Sequence, residues 1–185
     1  MEQSGKNPSM NYVLATSSHF NPASKRLYEE AFPPEERPPY RMLLSFERAK
    51  FYEIYDGNLF VGLADIVEKE DNTYLFFLAV EERLQNKGYG SKILQALKKR
   101  YRNIYLLAEE LDRSYANYEE RLRRIAFYER NGFQSKHERV KDYGVWYEIL
   151  YQEKEIHAAD FFETMRYLLG DALFERYYQN EEHSL

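Results

Sequence analysis

The run Tyr74-Leu75-Phe76-Phe77-Leu78-Ala79-Val80 is apolar at every position. Successive side chains of a strand point to opposite faces, so a strand of this kind needs a covering layer on each side. The run is far short of the ~20 residues required to cross a bilayer. Two glycines, Gly88 and Gly90, follow it, and then a helical pattern begins. Ile93, Leu94, Leu97 and Tyr101 share one side of that helix, while Lys92, Lys98, Lys99 and Arg100 fall mainly on the other. A doubly covered strand that feeds an amphipathic helix confines the chain to layered α/β architectures.

The flanking segments extend this pattern. Strands are predicted over Asn11–Thr16, Phe51–Tyr55, Leu59–Val67, Thr73–Val80 and Ile104–Ala108, with a closing pair at Phe133–Val140 and Val145–Tyr151. Asp56-Gly57 is a hairpin signal between the second and third of these. Asn21-Pro22 is a helix start: the Asn side chain caps, and Pro fits the first turn, where its missing N–H is not needed. Pro33-Pro34 ends that helix, and the stretch Pro33–Pro39 is expected to run as an extended loop. Further helices are predicted over Arg41–Ala49, over Glu119–Arg130 with a stop at Asn131-Gly132, and over Ile156–Tyr178. In the last, Phe162, Met165, Leu169 and Leu173 share a face and Gly170 is a weak point. That stripe suits either packing on the core or a contact with a second copy in a homodimer. The expected fold is α/β of the α+β type: a mixed, mostly antiparallel sheet flanked by helices, with an extra C-terminal helical segment. One domain, 1–185, is expected, with its core at 11–151 and the helical extension at 152–185. The first ten residues are read as a loose polar lead.

Composition narrows the function. The 185 residues carry 31 acidic and 26 basic side chains, a net charge of −5, which argues against a general nucleic-acid binder. The chain has no cysteine, so disulfides, thiolate metal sites and cysteine nucleophiles are excluded. His19, His137, His157 and His183 show no metal-ligand spacing, and no metal is expected. With no apolar signal core at the start and no membrane span, a cytoplasmic protein is expected.

The chemistry is concentrated in Gln85-Asn86-Lys87-Gly88-Tyr89-Gly90-Ser91, where strand gives way to helix. The first N–H groups of a helix have no partner within it, and glycines let a ligand approach the backbone closely. Such a turn suits phosphate oxygens. Neither the Walker pattern nor the three-glycine dinucleotide fingerprint is present. By itself, Gly-x-Gly is as well explained by a tight turn.

Some forty residues on comes Ala126-Phe127-Tyr128-Glu129-Arg130-Asn131-Gly132-Phe133. The two segments together resemble the GNAT superfamily of acyl-CoA-dependent N-acyltransferases, over roughly Phe51 to Tyr151. The resemblance implies acetyl-CoA as co-substrate, its pyrophosphate on the amides of Gln85–Ser91 and its pantetheine arm beside Leu78, Ala79 and Val80. It implies a Val80 backbone donor for the developing oxyanion and Tyr128 as the acid that protonates the leaving thiolate. Seven residues before that tyrosine many members have Asn; this chain has Arg121, whose guanidinium suits a coenzyme phosphate.

The acceptor would be a small-molecule or peptide amine, attacking directly because no cysteine can carry the acyl group. An alkyl amine has a pKa of about 10.4 and must lose a proton first. Glu109 and Glu110, at the end of the Ile104–Ala108 strand, are the candidate bases, while Glu81 and Glu82 read as solvated. Tyr74 occupies the position where some relatives carry a base within the strand. Glu35 and Glu36, in the proline-rich loop, are candidates to hold a cationic amine, and the negative net charge mildly favours a cationic acceptor. Two other classes fit the same residues: a non-catalytic acyl-CoA-binding or sensing module on the same fold, and an interaction domain using the tyrosines and last helix.

Overall fold

The computed structural model describes residues 10–178; the polar lead lies outside them except for Met10, as do the residues from 179 on. Seven strands form one sheet in the order β1-β2-β3-β4-β5-β7-β6. They are β1 (Met10–Leu14), β2 (Ala49–Asp56), β3 (Leu59–Lys69), β4 (Asn72–Val80), β5 (Ile104–Glu109), β6 (Arg139–Asp142) and β7 (Val145–Tyr151). Every pairing is antiparallel except that of β4 with β5. The mixed, mostly antiparallel sheet is the one expected, and helices cover both faces.

On the first face lie α3 (Tyr89–Arg100) and α4 (Tyr118–Arg130), packed through Ile93, Leu94 and Leu97 against Ile54, Val61 and Leu106. On the second lie α1 (Pro22–Ala31) and the single turn α2 (Tyr40–Leu43), whose Tyr28 and Leu43 meet Leu63 and Phe77. The same face carries α5 (Ala158–Leu169) and α6 (Asp171–Tyr178), whose Phe161, Met165 and Phe174 cluster with Tyr74 and Tyr105. Of the C-terminal apolar stripe, Phe162 and Met165 are buried in this cluster and Leu169 packs against it.

Local chemistry explains most boundaries. Asn21 caps α1, its Oδ1 accepting from the Ala23 amide at 2.9 Å, with Pro22 in the first turn. Buried Glu53 of β2 reinforces this start, accepting from the Asn21 amide and the Ser24 hydroxyl, each at 2.6 Å. Four expectations are corrected. Pro34–Glu36 forms a 3-10 turn within the proline-rich stretch, because Pro34 suits a first helical position as well as an extended one. The helix expected over Arg41–Ala49 is only α2, since Ala49 already pairs with Val67 in the sheet. The strand expected from Phe133 begins only at Arg139, after His137 at φ +61° breaks the extended backbone; Gln134 alone bridges to Tyr151. The long C-terminal helix is two helices, broken at Gly170 (φ +74°), beyond which the buried face moves to Phe174 and Tyr178.

Two irregularities in β4 shape everything that follows. Its register against β3 slips between Asp65 and Ile66: Asp65 faces Phe77 and Ile66 faces Leu75, leaving Phe76 as a bulged residue. The bulge puts Phe76 and Phe77 on the same face, their rings stacked 4.3 Å apart. In addition, β4 pairs with parallel β5 only at Thr73↔Ile104 and Tyr74↔Tyr105. Beyond Tyr74 the two strands part, and the sheet is split down to the end of β4.

Asp65 sits at the bulge and is fully buried. Its Oδ1 accepts from the Ile66 amide at 3.1 Å, while Oδ2 has no partner among the described residues. Burial pushes its carboxyl from the ordinary 3.8 up to about 7, the Ile66 amide pulling weakly the other way. A folded-state pKa raised above the unfolded one contributes stability that is complete below about pH 4 and is lost as pH rises through 7. A displacement of that size corresponds to about 4 kcal/mol in favour of the neutral form. Asp65→Asn keeps the acceptor and removes the charge, but buries an amide donor at a cost of about 1–3 kcal/mol. The expected net result is a variant more stable than wild type by about 1–3 kcal/mol at pH 8 and not more stable at pH 4. Thermal unfolding at the two pH values checks it.

Candidate active site

The split in the sheet opens between the end of β4 and the end of β5. In an antiparallel ladder, backbone N–H and C=O groups point alternately toward and away from the neighbouring strand. The Glu81 amide donates to Val61 O at 3.0 Å, so position 81 faces β3. By alternation Leu78 and Val80 turn their backbone groups into the split, and Ala79 turns its own toward β3. The Val80 carbonyl accepts from Gln85 Nε2 at 3.2 Å, which leaves the Val80 amide as the donor there. Of the three residues expected along the coenzyme arm, Leu78 and Val80 therefore present main-chain groups and Ala79 does not.

Past the split, the segment 85–91 makes its bend with two left-handed residues, Asn86 (φ +58°) and Gly88 (φ +83°). Gly88 is the N-cap of α3, and the Lys92 amide donates to its carbonyl at 3.1 Å. Among the described residues the amides of Lys87, Gly88, Tyr89, Gly90 and Ser91 meet no backbone acceptor. A Cβ at Gly88 would meet nothing within 4 Å, so the backbone there is unobstructed. At Gly90 a Cβ would stand 2.9 Å from Phe127 Cζ. The second glycine thus lets the aromatic pair of α4 pack against the start of α3, and the two sequence motifs meet in space.

Tyr128 follows Phe127 on α4, half-buried, its ring packed edge-on to Phe133 at 5.5 Å. It joins Leu78, Val80 and Phe127 on the first face of the sheet. No hydrogen-bond partner is assigned to its hydroxyl among the described residues. Burial raises its pKa, and the Arg124 guanidinium opposes this.

The carboxylates behave differently from a solvated loop. Buried Glu109 lies between two guanidiniums, with Arg121 Nη2 2.9 Å from Oε1 and Arg124 Nη1 on Oε2. Glu110 pairs with Arg139. Glu81, expected to be solvated, is buried and holds Arg26 Nη2 at 2.8 Å, tying α1 to the end of β4. Arg121, the candidate for a coenzyme phosphate, is itself buried. Its Nε donates to Asn117 Oδ1 and its Nη1 to Glu110 O, each at 2.9 Å, and it lies 4.0 Å over the Tyr115 ring. Its donors are engaged by the chain, and the guanidinium braces α4 against β5. Glu36 receives a hydrogen bond from the Tyr147 hydroxyl at 3.0 Å. Tyr147 is paired with Glu109 across β5 and β7, so Glu36 is held beside the last residue of β5, the strand that borders the split. The side chain of Glu35 lies outside the described residues.

Sequence reasoning missed the bulge at Phe76, the Tyr147–Glu36 contact and a cavity of about 220 Å³ on the second face. The bulge and Glu36 both lay within segments the sequence singled out, but strand alternation gives no sign of the one and the partner of the other is 111 positions away.

The site is thus a layered sheet split between two parallel strands, with an open-amide bend at the foot of the split. Residues 47–135 match the family model for the acetyltransferase (GNAT) domain. Over that stretch, 89 of the 185 residues, the chain is similar to GNAT acetyltransferase domains. Among solved structures it is similar to a protein from Bacteroides thetaiotaomicron described as a GNAT-family acetyltransferase, at 24% identity and TM-score 0.69, covering 89% of this chain and 98% of that one. It is also similar to a GNAT-family acetyltransferase from Elizabethkingia anophelis with acetyl-CoA bound (16%, TM-score 0.52, 80% and 100% covered). A Bacillus subtilis acetyltransferase in complex with CoA is similar at 17% identity and TM-score 0.52, again with 80% and 100% covered. At these identities the likeness is one of fold. No curated protein matches the chain in sequence. Among the described residues no helix is long and apolar enough to cross a membrane.

Proposed function

We propose that the protein is an N-acetyltransferase that moves an acetyl group from acetyl-CoA to a primary amine by direct attack in a ternary complex. The observation that carries this is the open-amide bend at 87–91 standing at the foot of a split that exposes the Val80 amide. The bend offers main-chain donors and a helix N-terminus to a pyrophosphate. The edge of β4 at Leu78 and Val80 offers strand-like pairing to an extended amide chain.

Acetyl-CoA, when bound, supplies an activated acyl group and a thiolate leaving group. The Val80 amide donates to the thioester oxygen as charge gathers on it. The Tyr128 hydroxyl, kept protonated by burial, gives its proton to the departing sulfur. Glu36, held by Tyr147 beside the end of β5, takes the proton of the incoming ammonium, directly or through water. Glu109 and Glu110, each held by arginine, are proposed as braces and not as the base. In this scheme residues 11–151 supply the chemistry, and the extension from 152 closes the acceptor side.

Calorimetry with acetyl-CoA followed by thiol-release assays tests the proposal. One-site binding is expected, and Gly88→Ala should weaken it about fivefold. The substitution places a β-carbon in the open bend at a backbone conformation that costs alanine about 1 kcal/mol. Absence of binding in the wild type would overturn the assignment, and binding without thiol release from any amine would favour a sensing module.

A further inference from the structure

The second face holds a cavity of about 220 Å³ whose floor is Phe76, the bulged residue of β4. Its walls come from the proline-rich stretch and α2 (Pro38, Met42), from α5 (Met165, Leu169) and from the tyrosine pair Tyr143 and Tyr177. Because Phe76 sits where β4 leaves β5, the cavity adjoins the split from the face opposite the open-amide bend. The cavity thus opens beside β4 four residues before Val80, on the face opposite the bend.

Its chemistry is selective. The volume is below the ~300 Å³ at which pockets for drug-sized ligands begin, so the body it takes is about the size of one large amino-acid side chain. The lining is aliphatic and aromatic, with the two tyrosine hydroxyls and a single charged residue, Arg37. Arg37 donates through Nε to Phe32 O at 2.8 Å and lies 5.4 Å from the Tyr28 ring. No carboxylate among the described side chains comes within ion-pairing distance of it. A half-buried guanidinium in an apolar wall is stabilised by a carboxylate that can accept two parallel N–H bonds. Glu36 precedes it in the chain and is held by Tyr147 beside the end of β5, so opposite charges are neighbours in the chain at this edge of the cavity. A polycation would bring its remote ammonium against Arg37, and a sugar would find few polar side chains in the wall.

We infer that this cavity is built for an acceptor of α-amino-acid type: an apolar or aromatic body bearing an amine and a neighbouring carboxylate, the carboxylate held by Arg37. The inference rests on the acyltransferase reading above and specifies its acceptor. It replaces the cationic acceptor that net charge alone suggested.

Thiol release from acetyl-CoA is measured with L-phenylalanine, with 2-phenylethylamine, which lacks only the carboxylate, and with spermidine. In the wild type, kcat/KM for L-phenylalanine should exceed that for 2-phenylethylamine at least tenfold, with spermidine lowest. Arg37→Met should close the gap between the first two, and Arg37→Lys should restore part of it, while calorimetric binding of acetyl-CoA persists in both. Spermidine as the best acceptor, equal rates for the two aromatic amines in the wild type, or bound acetyl-CoA with no release from L-phenylalanine each overturn this acceptor assignment. Failure to bind acetyl-CoA at all would instead strike the transferase reading beneath it.

Discussion

Tyr128→Phe is expected to lower kcat by about 10²–10⁴-fold, the range for a removed general acid, and to leave the affinity for acetyl-CoA within about twofold. The ring stays, so its edge-on contact with Phe133 and its place beside Leu78 and Val80 stay too. The hydroxyl has no assigned partner among the described residues, so its removal leaves no acceptor orphaned. Stability should therefore change by no more than about 0.5 kcal/mol. Because burial raises the tyrosine's pKa, the wild-type enzyme keeps its proton throughout the neutral range, and the alkaline limb of kcat should lie above pH 10. That limb should be missing from the variant. Single-turnover rates against pH give both quantities, and full turnover by the phenylalanine variant would remove Tyr128 from the chemistry.

Local patterns made much of this molecule readable from its sequence. Asn21-Pro22 starts α1, Asp56-Gly57 turns β2 into β3, and Asn131-Gly132 ends α4, because each acts on its own neighbours. The strand–glycine–helix order also carried the bend to its observed place. What sequence did not show depends on residues far apart. Tyr147 meets Glu36 across 111 positions, and Arg26 meets Glu81 across 55. The charge of Glu81 suggested solvent; its burial follows only from where α1 lies on the sheet. The bulge at Phe76 is invisible for another reason: an apolar strand covered on both faces has no polar alternation for an extra residue to disturb.

The acidic pair after β5 illustrates the same point and leads to the second large effect. Glu109→Gln should destabilise the fold by about 3–5 kcal/mol, the usual result of removing one partner from a buried ion pair. Glu109 and Arg121 are 9% and 8% exposed in their side chains, and with the carboxylate neutral the guanidinium of Arg121 remains buried with its charge uncompensated. Arg124 is 40% exposed, so Arg124→Met should lose no more than about 1 kcal/mol. The brace also fixes the spacing between β5 and α4, and α4 carries Tyr128 to the split. Some loss of kcat is thus expected alongside the loss of stability, and Arg121→Met should show both losses as well. A general base gives a different pattern: the stability of Glu109→Gln would match wild type while kcat fell at least 100-fold with no parallel in the Arg121 variant. Denaturant midpoints and kcat measured on the two variants together separate a carboxylate that holds the split open from one that takes the amine's proton.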